Sequence, residues 1–240
     1  MPSRKADYRY LGRLAWMALF GATVFFWFYP VNIGLLRLYF LLTIPTLLVG
    51  GAVLLWHRER LRYVPVVILG LLLVVLILPG RSQDAHRLRE RYVSALRSDE
   101  GTKYVWGGEN GFGIDCSGLA RRALINAHVR EGLLSLNPSH LRDSLELWWY
   151  DCSARAMKQG YRDWTRHLFD ADSVNELSAE VAAPGDLAVT ADGLHVLICL
   201  GQGTWIEADP GLGRVFAAKT PVANPWFDMP VVVLRWKRFD

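Results

Sequence analysis

The tightest constraint on how this chain folds lies in its first 80 residues, where apolar runs at residues 14–29, 38–56 and 64–78 contain hardly a charge. Each is somewhat shorter than the roughly 20 residues that cross a hydrocarbon core about 30 Å thick. Tyr10, Trp27, Tyr29, Tyr39, Trp56 and Tyr63 flank the runs and suit the membrane–water interface. A signal peptide would be a single run with a small-residue cleavage site. A succession of such runs instead predicts three transmembrane helices, with Arg37 near an end of the second, where its guanidinium can snorkel.

Charge divides the chain at the same place. Residues 1–80 carry a net +6 and the remainder −2, so the overall basicity belongs to the apolar part. It concerns membrane orientation; no basic stripe marks the remainder, and no nucleic-acid partner is expected. Arg4, Lys5, Arg9 and Arg13 precede the first run, Arg58, Arg60 and Arg62 separate the second from the third, and residues 30–36 contain no Lys or Arg. The positive-inside rule therefore predicts a cytoplasmic N-terminus and a cytoplasmic second loop. Three crossings then put everything after Pro79 on the outer side of the cytoplasmic membrane. The expected organisation is a multi-pass anchor over residues 1–80, embedded in lipid through residues 14–78, and a second domain over residues 81–240. The anchor is also a candidate surface for another membrane protein.

Beyond Arg81 the pattern becomes that of a soluble domain. Residues 84–97 predict an amphipathic helix with Leu88, Tyr92, Ala95 and Leu96 on one side. Pro138-Ser139 predicts the start of a helix carrying Leu141, Leu145 and Trp148, and another is expected over residues 153–167. The period then shortens. Residues 186–190, 194–200, 204–208, 214–218 and 231–236 are short apolar or alternating runs separated by Gly, Pro and Asp, the pattern of antiparallel strands. Helices first and strands after predict an α+β domain.

The chemistry centres on residues 104–119, an aromatic lead-in, a run of glycines and an Asp-Cys-Ser-Gly turn opening into a helix with Leu119, Ala123, Leu124 and Ala127 on one face. Cys116 falls where that helix begins. Unpartnered amides and the positive end of the helix dipole favour the thiolate there, so Cys116 is a candidate nucleophile rather than only a buried cysteine. The other cysteines, Cys152 and Cys199, are paired with each other or simply buried; Cys199 sits in an apolar run, which favours burial. A thiol nucleophile needs a base, and the base needs a group that fixes its orientation. His195 opens an apolar strand, and Glu207 lies on the next one across Gly201-Gln-Gly203, nearly opposite it in a hairpin. His57 and His86 flank the apolar region, and His128, His140 and His167 are expected on helices or loops without a strand pair behind them. No zinc-type spacing joins the cysteines and histidines, so neither metal nor cofactor is expected.

Tyr104-Val-Trp-Gly-Gly, Asp115-Cys-Ser-Gly-Leu, Pro184-Gly-Asp-Leu and His195-Val-Leu-Ile, followed by Gly201-Gln-Gly and Trp205-Ile-Glu-Ala, resemble the successive motifs of the NlpC-type cell-wall endopeptidases. These are papain-like cysteine peptidases, and the resemblance spans about residues 84–220 in the right order. It implies a papain-like domain in which Cys116 is the nucleophile, His195 the base and Glu207 the third member. It also implies that Tyr104 lines the site, that Asp115 and Ser117 help hold the free amine of a peptide stem, and that the Cys116 amide contributes to the oxyanion hole. The implied activity is hydrolysis of amide bonds in peptidoglycan stem peptides or related small peptides. The family's usual third residue is histidine; glutamate in its place would hold the imidazole more strongly as the cation and change the pH profile. The interval between Cys116 and His195 is long, which implies an insertion around residues 130–180 whose Trp148, Trp149, Tyr150 and Trp164 either wall the cleft or pack together. Asp151-Cys152-Ser153 echoes the central motif without its glycine or lead-in, and is read as coincidence. Two other readings compete: an amidase of the related CHAP group, and a catalytically silent cell-wall binding module tethered to the membrane. The permuted acyl-transferring relatives, with histidine before cysteine, have the wrong order.

Overall fold

The computed structural model describes residues 4–240; side chains of residues 4–9 and of Leu76 lie outside that description, and so does the basic arm formed by Arg4, Lys5 and Arg9. The N-terminal region is three helices, α1 (Arg4–Phe28), α2 (Gly34–Leu54) and α3 (Tyr63–Ile77). Two of them are long and apolar enough to cross a membrane, α1 over the 19 residues Tyr10–Phe28 and α2 over all 21 of its residues. The third expected span is shorter than the others: α3 has 15 residues, about 22 Å at 1.5 Å per residue. It stops because Leu78, just before Pro79, is extended with ψ 136°, the conformation a following proline imposes. Trp16 of α1 donates its indole N–H to the Leu47 carbonyl of α2 at 2.9 Å. Phe20, Phe25, Leu41, Leu42, Leu71 and Leu72 nevertheless remain exposed on the outside of the three helices.

The second region begins with α4 (Ala85–Ser98), N-capped by Asp84, whose carboxylate accepts from the Arg87 amide. A short ribbon follows, β1 (Glu109–Asn110) paired with β2 (Gly113–Ile114), and then α5 (Cys116–Ser135), α6 (Pro138–Trp149) and α7 (Ala154–Lys158). The remaining strands are β3 (Thr165–Ala171), β4 (Leu187–Thr190), β5 (Val196–Gly201), β6 (Thr204–Asp209), β7 (Arg214–Lys219) and β8 (Val231–Trp236). They form one six-stranded sheet in the order β3-β8-β4-β5-β6-β7, every neighbouring pair antiparallel. The α+β class and its papain-like helix-then-sheet order are as the sequence predicts.

Alternation along the strands builds two cores. Leu187, Val189, Val196, Ile198, Ile206 and Ala208 meet Leu88, Tyr92, Leu119, Ala123 and Leu124 of α4 and α5. The intervening Ala188, Leu197, Cys199 and Trp205 pack with Phe227, Val231 and Val233 on the other side. With both faces covered, the sheet is a rigid platform against which α5 is held.

The expected helix over residues 153–167 is a correction. Only α7 is α-helical; a single 3-10 turn follows at Tyr161–Asp163, and Gly160, Arg162 and Asp163 all have positive φ and break the helix. The chain then enters β3, whose residues Thr165 to Ala171 pair with β8. His167 consequently lies on a strand, opposite Leu234, and is exposed beside Asp170 rather than lying on a helix or in a loop.

Candidate active site

The site is built from the start of α5 and the β5–β6 hairpin. Asp115 caps α5 in the extended conformation, and its Oδ1 accepts from the Gly118 amide at 2.6 Å and from the Ser117 hydroxyl at 2.9 Å. Oδ2 accepts from the Gly107 amide at 2.9 Å. One carboxylate thus ties the glycine turn of the lead-in to the helix that carries the thiol. Glycine is required here on steric grounds, since a β-carbon at position 118 would collide with the Gly108 carbonyl, which itself accepts from the Asp115 amide. Cys116 is therefore the first residue of α5 and 8% exposed, enough for contact with the cleft.

His195 and Glu207 are buried and joined by an ion pair through Nε2 and Oε2. Their register differs from the expected near-opposite pairing. Ile198 faces Ile206, so the ladder continues with Leu197 opposite Glu207, and His195 lies diagonally beyond. The offset is even, which keeps both side chains on one face and lets long side chains meet diagonally. Thr190 fixes the backbone of His195, its hydroxyl accepting from the His195 amide at 3.0 Å. Trp226 stacks on the imidazole at 4.2 Å and 18°; no signal in the sequence marked this tryptophan.

Electrostatics favour a charged imidazole. Burial works to lower the His195 pKa, but contacts with Cys116 and Glu207 outweigh it and raise the value to about 9. With Nε2 on Glu207, Nδ1 is the nitrogen left for the thiol. Burial pushes the Glu207 carboxyl up, against the pull of His195. The Tyr104 phenol is pushed up to about 12 by burial and by Cys116 and Asp115 beside it, so it stays a neutral donor at the cleft.

Tyr104, Asp115, Cys116 and Ser117 line a cleft of about 390 Å³ together with Trp106 and Leu194. Asn32, Ile33 and Arg37 line it too, although they belong to the α1–α2 connection and to α2. Arg37 does not snorkel. It is buried against Glu109, 3.0 Å away, and Asn110 donates to the Tyr29 carbonyl at 2.7 Å. Asp151, set aside as coincidence, also lines the cleft and pairs with Arg121 at 2.8 Å. Trp148, Trp149, Tyr150 and Trp164 are absent from the lining; Arg162 packs over Tyr150 at 3.5 Å, and Trp164 is buried in the core. Of the two roles open to these aromatics, local packing is the one they adopt. Cys152 and Cys199 are free and buried rather than paired. Among the described residues no His, Cys, Asp and Glu group is arranged to hold a metal ion.

A thiol at a helix N-terminus, with a buried imidazole and carboxylate supplied by an antiparallel sheet, defines the class of papain-like cysteine hydrolases. Within it, this chain belongs to the NlpC/P60 family, whose model matches residues 101–228. Family membership makes it a cysteine-type hydrolase. Similar solved structures include the P60 domain of an antigen from M. avium subspecies paratuberculosis, at 22% identity over 62% of this chain and 95% of that one, TM-score 0.37. The peptidoglycan hydrolase RipB from Mycobacterium tuberculosis is similar at 23% identity, over 66% and 69% of the two chains, TM-score 0.39. NlpC1 from Trichomonas vaginalis shows 20% identity over 65% of this chain and 46% of its own length, TM-score 0.41. No curated protein matches the chain.

Proposed function

We propose that this protein is a membrane-anchored cysteine peptidase that hydrolyses amide bonds in peptidoglycan stem peptides, using Cys116 as nucleophile, His195 as base and Glu207 to orient the imidazole. The observation that carries the reading is that Cys116, at the first turn of α5 and lining the cleft, contacts the buried His195 that pairs with Glu207. The thiolate attacks the scissile carbonyl, and the Cys116 amide stabilises the oxyanion. The His195 imidazolium then protonates the leaving amine, and water attack on the thioester, with His195 as base, frees the carboxylate. Tyr104, Asp115 and Ser117 hold the peptide. A carboxylate offers about four acceptor positions, so the three hydrogen bonds within Asp115's own turn leave one for a substrate amine.

The domain assignment, residues 1–80 as anchor and 81–240 as peptidase with an insertion around residues 130–180, belongs to the same proposal. So does the topology, with three crossings, a cytoplasmic N-terminus and the cleft on the outer side. Two contacts support it independently of the charge pattern. The α1–α2 connection touches the peptidase through Asn32 and Gly107, while Arg142 of α6 donates to the Leu78 carbonyl just past α3 at 2.6 Å. Both ends therefore lie on the side of the peptidase, which supports a return of α3 across whatever α2 crosses. The exposed apolar surface of α3, including Leu71, Leu72 and Leu73, suits lipid.

The test uses the full chain in detergent micelles with purified peptidoglycan fragments, the products read by mass spectrometry and Cys116→Ala as control. A new amine and carboxylate pair, lost in the variant, is expected. A thiol-directed electrophile should modify Cys116 and spare Cys152 and Cys199, whose thiols burial pushes up to about 12 and about 11. No cleavage together with an unreactive Cys116 would sink the reading.

A further inference from the structure

Beside Cys116, the cleft contains a charge arrangement that the hydrolytic chemistry does not use. Arg37 and Arg121 are both 2% exposed, and both line the cleft. Glu109 lies between them, 3.0 Å from Arg37 and 2.7 Å from Arg121. Two buried guanidiniums against one buried carboxylate leave one positive charge to be matched, and burying an unmatched charge is costly. The match comes from Asp151, which approaches Arg121 at 2.8 Å and Arg37 at 3.6 Å through the same oxygen. Its side chain, however, is 70% exposed.

The hydrogen bonding is also incomplete. Arg121 Nη2 donates to the Leu147 and Tyr150 carbonyls, and Arg37 Nη2 to the Asn32 carbonyl. The Nε of each arginine is buried without a partner. Both Nη2 groups are committed to protein acceptors, and the donor that reaches the exposed Asp151 is Arg121 Nη1.

We propose that Arg37 and Arg121 form a carboxylate-binding subsite of the catalytic cleft, built across the junction of anchor and peptidase, in which Asp151 stands in until a peptide carboxylate displaces it. The proposal deepens the peptidase reading and rests on it for the identity of the ligand as a peptide. Asp151 is suited to leave because its side chain is exposed and anchored within its own turn only to the Cys152 amide. The anchor is then part of the substrate site: Arg37 comes from α2, while the nucleophile comes from α5.

The test is binding to the full-length Cys116→Ala protein in micelles, measured by calorimetry with a synthetic stem-type tripeptide carrying a free α-carboxylate and with its carboxamide counterpart. The acid is expected to bind at least about tenfold more tightly than the amide, as for loss of a charge-assisted hydrogen bond. Adding Asp151→Asn should tighten the acid by roughly threefold to tenfold and leave the amide unchanged, because it removes a competing carboxylate. Asn at position 151 keeps an acceptor oxygen for Arg121 and for the Cys152 amide, so both retain a hydrogen-bond partner in this variant. Equal affinity for acid and amide, weaker acid binding in Asp151→Asn, or no measurable binding of either peptide would overturn the proposal. Failure of the peptidase reading is separable, since it is read by hydrolysis in the wild-type chain and by Cys116 labelling.

Discussion

Glutamate at position 207 determines how the imidazole titrates. A neutral third residue would orient His195 without holding its charge; the buried carboxylate does both. Burial disfavours the imidazolium, yet Cys116 and Glu207 raise the pKa from 6.5 to about 9, so in the proposed mechanism the general acid persists well above neutrality. The expected kcat/KM profile stays high through neutral pH and falls as pH rises through about 9. Glu207→Gln removes the anion, so the falling limb should move towards more acid pH, and the rate near pH 8 should drop roughly 10²- to 10⁴-fold, the usual scale of general acid–base catalysis. A pH–rate profile of both proteins checks the sign; an unmoved limb would mean that Glu207 does not set the charge of His195. The placement of Cys116 at a helix start and of His195 just before a strand was legible in the sequence because both are local signals. The stacking of Trp226 was not, because it depends on where the residues after β7 return to the sheet.

At the level of elements, the start of α5 and the glycine turn work as one joint. Asp115 binds both of them, and Gly118 lies against the backbone of Gly108. Gly118→Ala places a β-carbon against that carbonyl and must displace the turn or the helix. The expected cost is about 1–3 kcal/mol of stability, the range for overpacking, with a fall in kcat larger than any change in KM, because the Cys116 amide moves with the helix. Thermal unfolding and steady-state kinetics of the variant give the two readouts. Strands β4 to β8 were readable from alternation bounded by Gly, Pro and Asp. Strand β3 was not: its Thr165-Arg-His-Leu-Phe stretch fits either period, and pairing with β8 decided it. The hairpin register was anticipated in parity but not in offset: from Gly201 opposite Thr204 the count would put His195 against position 210, and the bulge between Cys199 and Gly201 brings it to 209, two residues from Glu207.

For the whole molecule, the junction between the N-terminal helices and the hydrolase domain is the consequential feature. The proposed topology predicts that a cysteine placed at Arg60, in the loop between α2 and α3, reacts with a membrane-impermeant thiol reagent only after the cells are permeabilised, whereas one at Glu180 on the peptidase reacts in intact cells. Labelling of both in intact cells would eliminate the third crossing, and labelling of neither would put the cleft on the cytoplasmic side. If α2 and the peptidase are coupled through Arg37 and Glu109, they should also unfold together rather than in separate steps.

By itself the sequence determined what is encoded in neighbouring residues: apolar length, charge asymmetry between loops, the capped and glycine-lined start of α5, and the alternation of the later strands. These features follow from local sterics and periodicity. Only the tertiary structure decided which distant residues share a site. Arg37 meets Glu109 across 72 positions, and Arg121 meets Asp151 across 30. Nothing in either neighbourhood encodes those pairings; they arise because burying a charge demands an opposite charge from whichever element the packing brings near.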